Sequence, residues 1–256
     1  MPGNADFSRK NLEHASDIIA RSPEIRDEFL LGQPFYMDVA NYLVDVLEIV
    51  LPANARILEV SCGTGILAEL ILRRLPGVRL DVSDVSRETL GVVRKKTQRH
   101  TNRVRFIKKD NATYSFAGSY DGILTSNAMR LTFFDYERLY RNFHRILKPN
   151  GIILIAEADV PRRKKGFLSN IGDWLNDVKT KGGSCRRWQT LASSKTFNAE
   201  VDRDDIGKVT RYYSPSFHIG KLDAAGFGEA AMIYKKYHHV IIAGMKGQLS
   251  FTKDPA

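Results

Sequence analysis

Residues 57–68, Ile-Leu-Glu-Val-Ser-Cys-Gly-Thr-Gly-Ile-Leu-Ala, join a short apolar run to the start of another through a turn that carries two glycines. Ile57, Leu58 and Val60 suit a strand buried on both faces, as strands of parallel sheets are. Gly63 and Gly65 let the backbone turn sharply and approach a ligand with no Cβ in the way. Glu59 then falls at the carboxyl end of the strand, where open α/β sheets bind their ligands. Strand and helix patterns alternate from here to about Glu157, which predicts an α/β fold with a mostly parallel sheet and helices on both faces.

Two cofactors are compatible with the turn itself. Gly63-x-Gly65-x-x-Ala68 satisfies a dinucleotide fingerprint, in which a helix N-terminus receives a pyrophosphate. S-adenosyl-L-methionine has no phosphate. It presents an ammonium, a sulfonium and an adenosine, so its turn favours an acid, and Glu59 occupies that place. Asp84, about 20 residues on at the end of a second strand, fits either ligand, because both have a ribose to grip.

The motifs that follow separate the two. Glu59-x-Ser61-x-Gly63-x-Gly65 is followed by Asp84-Val85-Ser86 before a helix, then by Lys109-Asp110-Asn111-Ala112, Tyr120-Asp121 and Leu147-Lys148-Pro149-Asn150-Gly151. In order and spacing this series resembles the class I S-adenosylmethionine-dependent methyltransferases from about residue 55 to about residue 158. The likeness resumes at Tyr212-Tyr213-Ser214-Pro215 and at Ala225-Gly226-Phe227. One departure is Ser61, which stands where the family usually has its first glycine. The resemblance implies a Rossmann-like fold with a seven-stranded sheet and S-adenosyl-L-methionine as cofactor. It implies cofactor contacts from Glu59, Ser61, Gly63 and Gly65 in the turn, from Asp84 and Val85 at the ribose, from Asp110 and Asn111 at the adenine, and from Asn127 beside the sulfonium. Tyr36 matches an aromatic that relatives with a similar arm lay over the cofactor; plain packing is its other role.

Outside the core the chain divides by pattern. Residues 1–50 form an N-terminal helical arm, with Ser22-Pro23-Glu24 opening one helix and an apolar stripe from Phe35 to Val50 marking a second. Residues 51–159 form the cofactor-binding core, and residues 215–256 complete it. Between them, residues 160–214 are too long for an ordinary connection. Phe167, Leu168, Ile171, Trp174, Leu175 and Val178 recur at helical spacing, before the break at Gly182-Gly183. Because this insertion follows the carboxyl end of a sheet strand, it reads as a helical lid over the substrate.

The insertion is also basic. It holds twelve Lys and Arg against six Asp and Glu, an excess of +6, where the whole chain carries +10. Arg162, Arg163, Arg186 and Arg187 form its densest clusters, and guanidinium pairs hold phosphate or carboxylate groups well. A solvated basic surface is the competing role. A third reading is an RNA or protein methyltransferase that docks its substrate through this insertion, although no separate nucleic-acid module is visible and Trp174 suits lid packing as well as base stacking.

Near the reacting methyl, Asn127-Ala128-Met129 replaces the Asn-Pro-Pro or Asp-Pro-Pro of nucleobase and amide methyltransferases. Arg130 follows, placed to receive an anionic substrate or to pair with a surface acid. Glu157, Tyr212 and Tyr213 are the candidates for a base, with Asp159 better suited to a structural pair. His218 is expected to face outward, and His144 to lie at a rim. Cys62 reads as a small buried residue. No His, Cys and acid spacing suggests a metal, no apolar run reaches the ~20 residues of a membrane span, and Met1 to Ala20 lacks the apolar core of a signal peptide. These features predict a cytoplasmic enzyme of specialised biosynthesis that methylates a small, anionic metabolite, without identifying the acceptor atom or the oligomeric state.

Overall fold

The structure, a computed structural model, describes residues 23–32, 35–110, 116–127, 135–159 and 213–247. Two helices come first, α1 (Pro23–Gly32) and α2 (Tyr36–Val50). Alternation then begins with β1 (Arg56–Val60), α3 (Ile66–Arg74), β2 (Arg79–Asp84), α4 (Arg87–Lys96), a 3-10 segment (Gln98–Arg103) and β3 (Val104–Lys108). It continues with β4 (Tyr120–Ser126), α5 (Tyr136–Ile146), β5 (Leu147–Ala158), α6 (Pro215–Ala224), β6 (Glu229–Lys236) and β7 (His239–Met245).

All seven strands share one sheet, in the order β3-β2-β1-β4-β5-β7-β6. The five strands β1 to β5 run parallel, while β7 lies antiparallel between β5 and β6. The order reverses between β1 and β4, and open sheets of this kind bind ligands in the crevice beyond the strand ends at such a point.

Alternation along the strands divides the interior into two layers. Ile57, Leu80, Leu124 and Leu154 face one way and pack with Leu43 and Leu47 of α2 and Ile71 of α3. Leu58, Ile123, Ile153 and Ile242 face the other way, against Leu139 and Phe143 of α5 and Leu222 of α6. All fourteen of these side chains are fully buried, and each contributes about 1.5–3 kcal/mol. Because α2 supplies part of the first layer, it is integral to the core.

Acids pin the opposite end of the sheet from the strand termini that carry the glycine turn. Asp121 accepts from the Arg56 backbone N–H at 2.8 Å and from Lys148 Nζ at 2.8 Å, joining the starts of β1, β4 and β5. Buried Asp81 accepts from Arg56, Arg105 and the Tyr120 hydroxyl. The motif residues Tyr120, Asp121 and Lys148 thus hold the sheet together far from the crevice.

Candidate functional site

The crevice is built from the turn after β1. Ser61, Gly63 and Gly65 all have left-handed backbones, with φ of 57°, 52° and 80°. Gly65 is required twice, since a Cβ there would lie 2.9 Å from Val93 Cγ1 of α4. At Gly63 a Cβ would meet nothing within 4 Å, so it is the positive φ and not a close contact that favours glycine there. Ser61 tolerates the same backbone without being glycine, which costs a serine roughly 1 kcal/mol or more.

Hydrogen bonds tie this turn to β2. The Cys62 N–H donates to Ser83 O at 3.0 Å, and the Gly63 N–H to Asp84 Oδ2 at 3.3 Å. The other Asp84 oxygen accepts the Ser86 N–H at 3.1 Å, while the Ser86 hydroxyl caps α4 by accepting from the Thr89 N–H. Asp84 thereby fixes two turns at once. The Lys109 N–H donates to Asp84 O at 2.8 Å, which brings half-buried Asp110 alongside; Val85 is half-buried at the same edge. At the end of β4, Asn127 also has a positive φ, 54°, and its N–H donates to Ala156 O at 2.8 Å.

Glu59 carries the electrostatic signature of the site. It is only 3% exposed, and its Oε2 has no hydrogen-bond partner among the described residues. Burial first, and the charge of Asp84 second, push its carboxyl up to about 8. The same burial and the same two acids push the Cys62 thiol well up, so it is a poor nucleophile. A buried acid with an unpaired oxygen near a second acid suits a cationic group, which would satisfy the oxygen and favour the ionised form. A pyrophosphate would meet two acids instead. The residues therefore fit S-adenosylmethionine, whose ammonium can face Glu59.

Glu157 lies near the end of β5, 5% exposed, on the sheet face covered by α5 and α6. Its charge helps to raise the Tyr140 phenol, after burial and Tyr136. Tyr213 is half-buried, stacked on Phe217 with centroids 4.2 Å apart and set edge-on to Tyr136 at 4.9 Å. Tyr36 is buried in the first turn of α2. Asn111, Arg130, Arg162, Arg163, Trp174, Arg186, Arg187 and Tyr212 lie outside the described residues.

One histidine departs from expectation. His218 is 2% exposed, because the spacing of His218, Leu222 and Ala225 turns that stripe of α6 and its end inward. The ring is accommodated by a hydrogen bond to the Tyr140 hydroxyl at 2.7 Å, and burial lowers its pKa to about 4. Thr125, in the strand end that the resemblance sets beside the sulfonium, is fully buried, with no partner for its hydroxyl among the described residues. No group of His, Cys, Asp and Glu among the described residues could hold a metal ion, and no described helix is long and apolar enough to cross a membrane.

Comparison with known proteins agrees with this geometry. Residues 57–151 match the family described as the methyltransferase domain. Over 179 residues the chain is 32% identical to highly reducing polyketide synthase rstn3 of Aspergillus nomiae, covering 64% of this chain and 7% of the synthase. Over 110 residues it is 31% identical to demethylmenaquinone methyltransferase of Thermus thermophilus, covering 43% of this chain and 50% of that protein. Human N-acetylserotonin methyltransferase, solved with S-adenosylmethionine, shares the fold with a TM-score of 0.54 at 16% identity, covering 90% of this chain and 58% of that one. The chain thus spans half or less of these two curated relatives. Residues 57–151 thus carry a methyltransferase domain, and the chain has the fold of an S-adenosylmethionine-dependent methyltransferase.

Proposed function

We propose that this chain transfers the methyl group of S-adenosylmethionine to a small, anionic metabolite. The observation that carries the cofactor half of this reading is the buried Glu59 carboxyl near Asp84, with an oxygen free of partners among the described residues. When bound, the cofactor supplies an electrophilic methyl on a sulfonium, so alignment and exclusion of water do much of the work. Glu59 balances the ammonium. Asp84, held by two backbone N–H groups, is oriented to accept from the ribose hydroxyls, and Asp110 with Asn111 serves the adenine. Asn127, in its left-handed turn at the end of β4, borders the sulfonium. In this reading Glu157 takes a proton from the acceptor, with Tyr212 and Tyr213 as the other candidates for the base.

The small-molecule half draws on the relatives. One is named for demethylmenaquinone and another for polyketide synthesis. The insertion, residues 160–214, serves as the lid, and its arginines receive a carboxylate or phosphate. The test is to incubate the protein with S-adenosylmethionine and a panel of small carboxylates and phosphate esters, measuring S-adenosylhomocysteine release. Release that depends on a panel member supports the reading. Release with RNA or protein, and with no panel member, assigns the alternative.

A further inference from the structure

The methyl-transfer reading leaves a second concentration of charge unused. Residues 87–109 contain nine Lys and Arg and a single acid, Glu88, an excess of +8 against +10 for the whole chain. They make up α4, the 3-10 segment and β3, which is the edge strand next to β2. At least four of the nine cations are engaged by the fold, Lys109 lying over the Phe116 ring at 5.7 Å. Lys96 bridges Asp27, Arg103 donates to the Leu72 and Leu75 carbonyls at the end of α3, and Arg105 pairs with Asp81.

The others are available at the surface. Arg87, Arg94, Lys95, Arg99 and Lys108 are exposed. Arg94 lies over the Phe106 ring with its guanidinium carbon 4.3 Å from the centroid. The ten residues of α4 give the face a length of about 15 Å. Val104 and Phe106 on the β3 side are half-buried.

That combination favours one kind of occupant. Exposed arginines take carboxylates in pairs through their guanidinium forks, and arginine is enriched at protein interfaces. A platform for single-stranded nucleic acid instead needs exposed aromatic rings for the bases. Phe106 is the one Phe, Tyr or Trp in residues 87–109, and Arg94 covers it. We propose that the face formed by α4 and β3 docks an acidic protein surface. This goes beyond methyl transfer and requires no cofactor.

Fluorescence anisotropy with a labelled decaglutamate peptide tests it, with a decauridine RNA as the rival polyanion. The salt is kept at about 50 mM, where surface charges are weakly screened. Two charge reversals probe the face, Arg94→Glu with Arg99→Glu and Lys95→Glu with Lys108→Glu. Arg162→Glu with Arg163→Glu probes the insertion, and S-adenosylhomocysteine binding reports whether each variant is folded. The expected result is that peptide binding weakens by about tenfold or more in both face variants and stays nearly unchanged in the insertion variant. If one face variant fails to fold, the other decides. The proposal is overturned if the wild-type protein does not bind the peptide, if a folded face variant binds it as well as wild type, if the insertion variant alone loses binding, or if the RNA binds more tightly than the peptide.

Discussion

At the scale of single residues, Glu59 makes opposite demands on stability and on binding. Its carboxyl stays protonated up to about pH 8 in the fold, whereas its ordinary value is 4.5. The stability this gives is complete below the lower value and is lost as pH rises to the upper one. Glu59→Gln keeps the shape but cannot ionise, so the melting temperature of the ligand-free variant should fall less than wild type between about pH 5 and pH 8. A ligand ammonium favours the ionised form, so S-adenosylhomocysteine should bind wild type more tightly as pH approaches 8. Affinity in Glu59→Gln should be weaker by about tenfold and lack that pH dependence. Thermal melts and calorimetry at several pH values decide; equal slopes in the two proteins would remove Glu59 from the ammonium site. Ser61 shows the other side of residue-level reading. Its φ of 57° explains why a glycine is usual there and why a serine is tolerated.

At the scale of elements, the β1 turn depends on how closely α4 packs against it. Gly65→Ala should destabilise by about 1–2 kcal/mol, from the left-handed backbone alone, and the 2.9 Å approach to Val93 adds to that. Gly91 is a useful contrast, because a Cβ on this α4 residue meets nothing within 4 Å. Gly91→Ala should therefore stabilise by about 0.5–1 kcal/mol through helix propensity. Denaturant unfolding of both variants checks the pair, and a neutral Gly65→Ala would show that the packing is looser than described. The turn, Asp84 and the strand alternation were legible because each is a local pattern of spacing and glycine. The Tyr140–His218 bond was not, since its partners are 78 residues apart and meet only when α5 and α6 share a sheet face. The donors around Asp81 were hidden for the same reason: Arg56, Arg105 and Tyr120 come from three strands. The Tyr120-Asp121 and Leu147-Lys148 motifs were visible as motifs, but only the register shows that they pin the far end of the sheet.

At the scale of the whole molecule, the sheet order puts the cofactor turn at the β1–β4 crevice, and the proposed lid, residues 160–214, follows β5 in the sequence. If the insertion's arginines receive the substrate's charge, Arg162→Gln with Arg163→Gln, or Arg186→Gln with Arg187→Gln, should raise KM by about tenfold or more. S-adenosylhomocysteine affinity should stay intact, because the residues assigned to the cofactor lie on other segments. Steady-state kinetics with an acceptor found in the panel check this, and unchanged KM in both variants would remove the reason for an anionic substrate. All of this depends on which cofactor the crevice takes. Calorimetry of the same protein with S-adenosylhomocysteine and with NAD measures that directly. A buried Glu59 beside Asp84 predicts binding of S-adenosylhomocysteine in about the micromolar range and NAD weaker by roughly a hundredfold, a difference of about 2.7 kcal/mol. NAD binding as tight as S-adenosylhomocysteine, or tighter, would contradict the account.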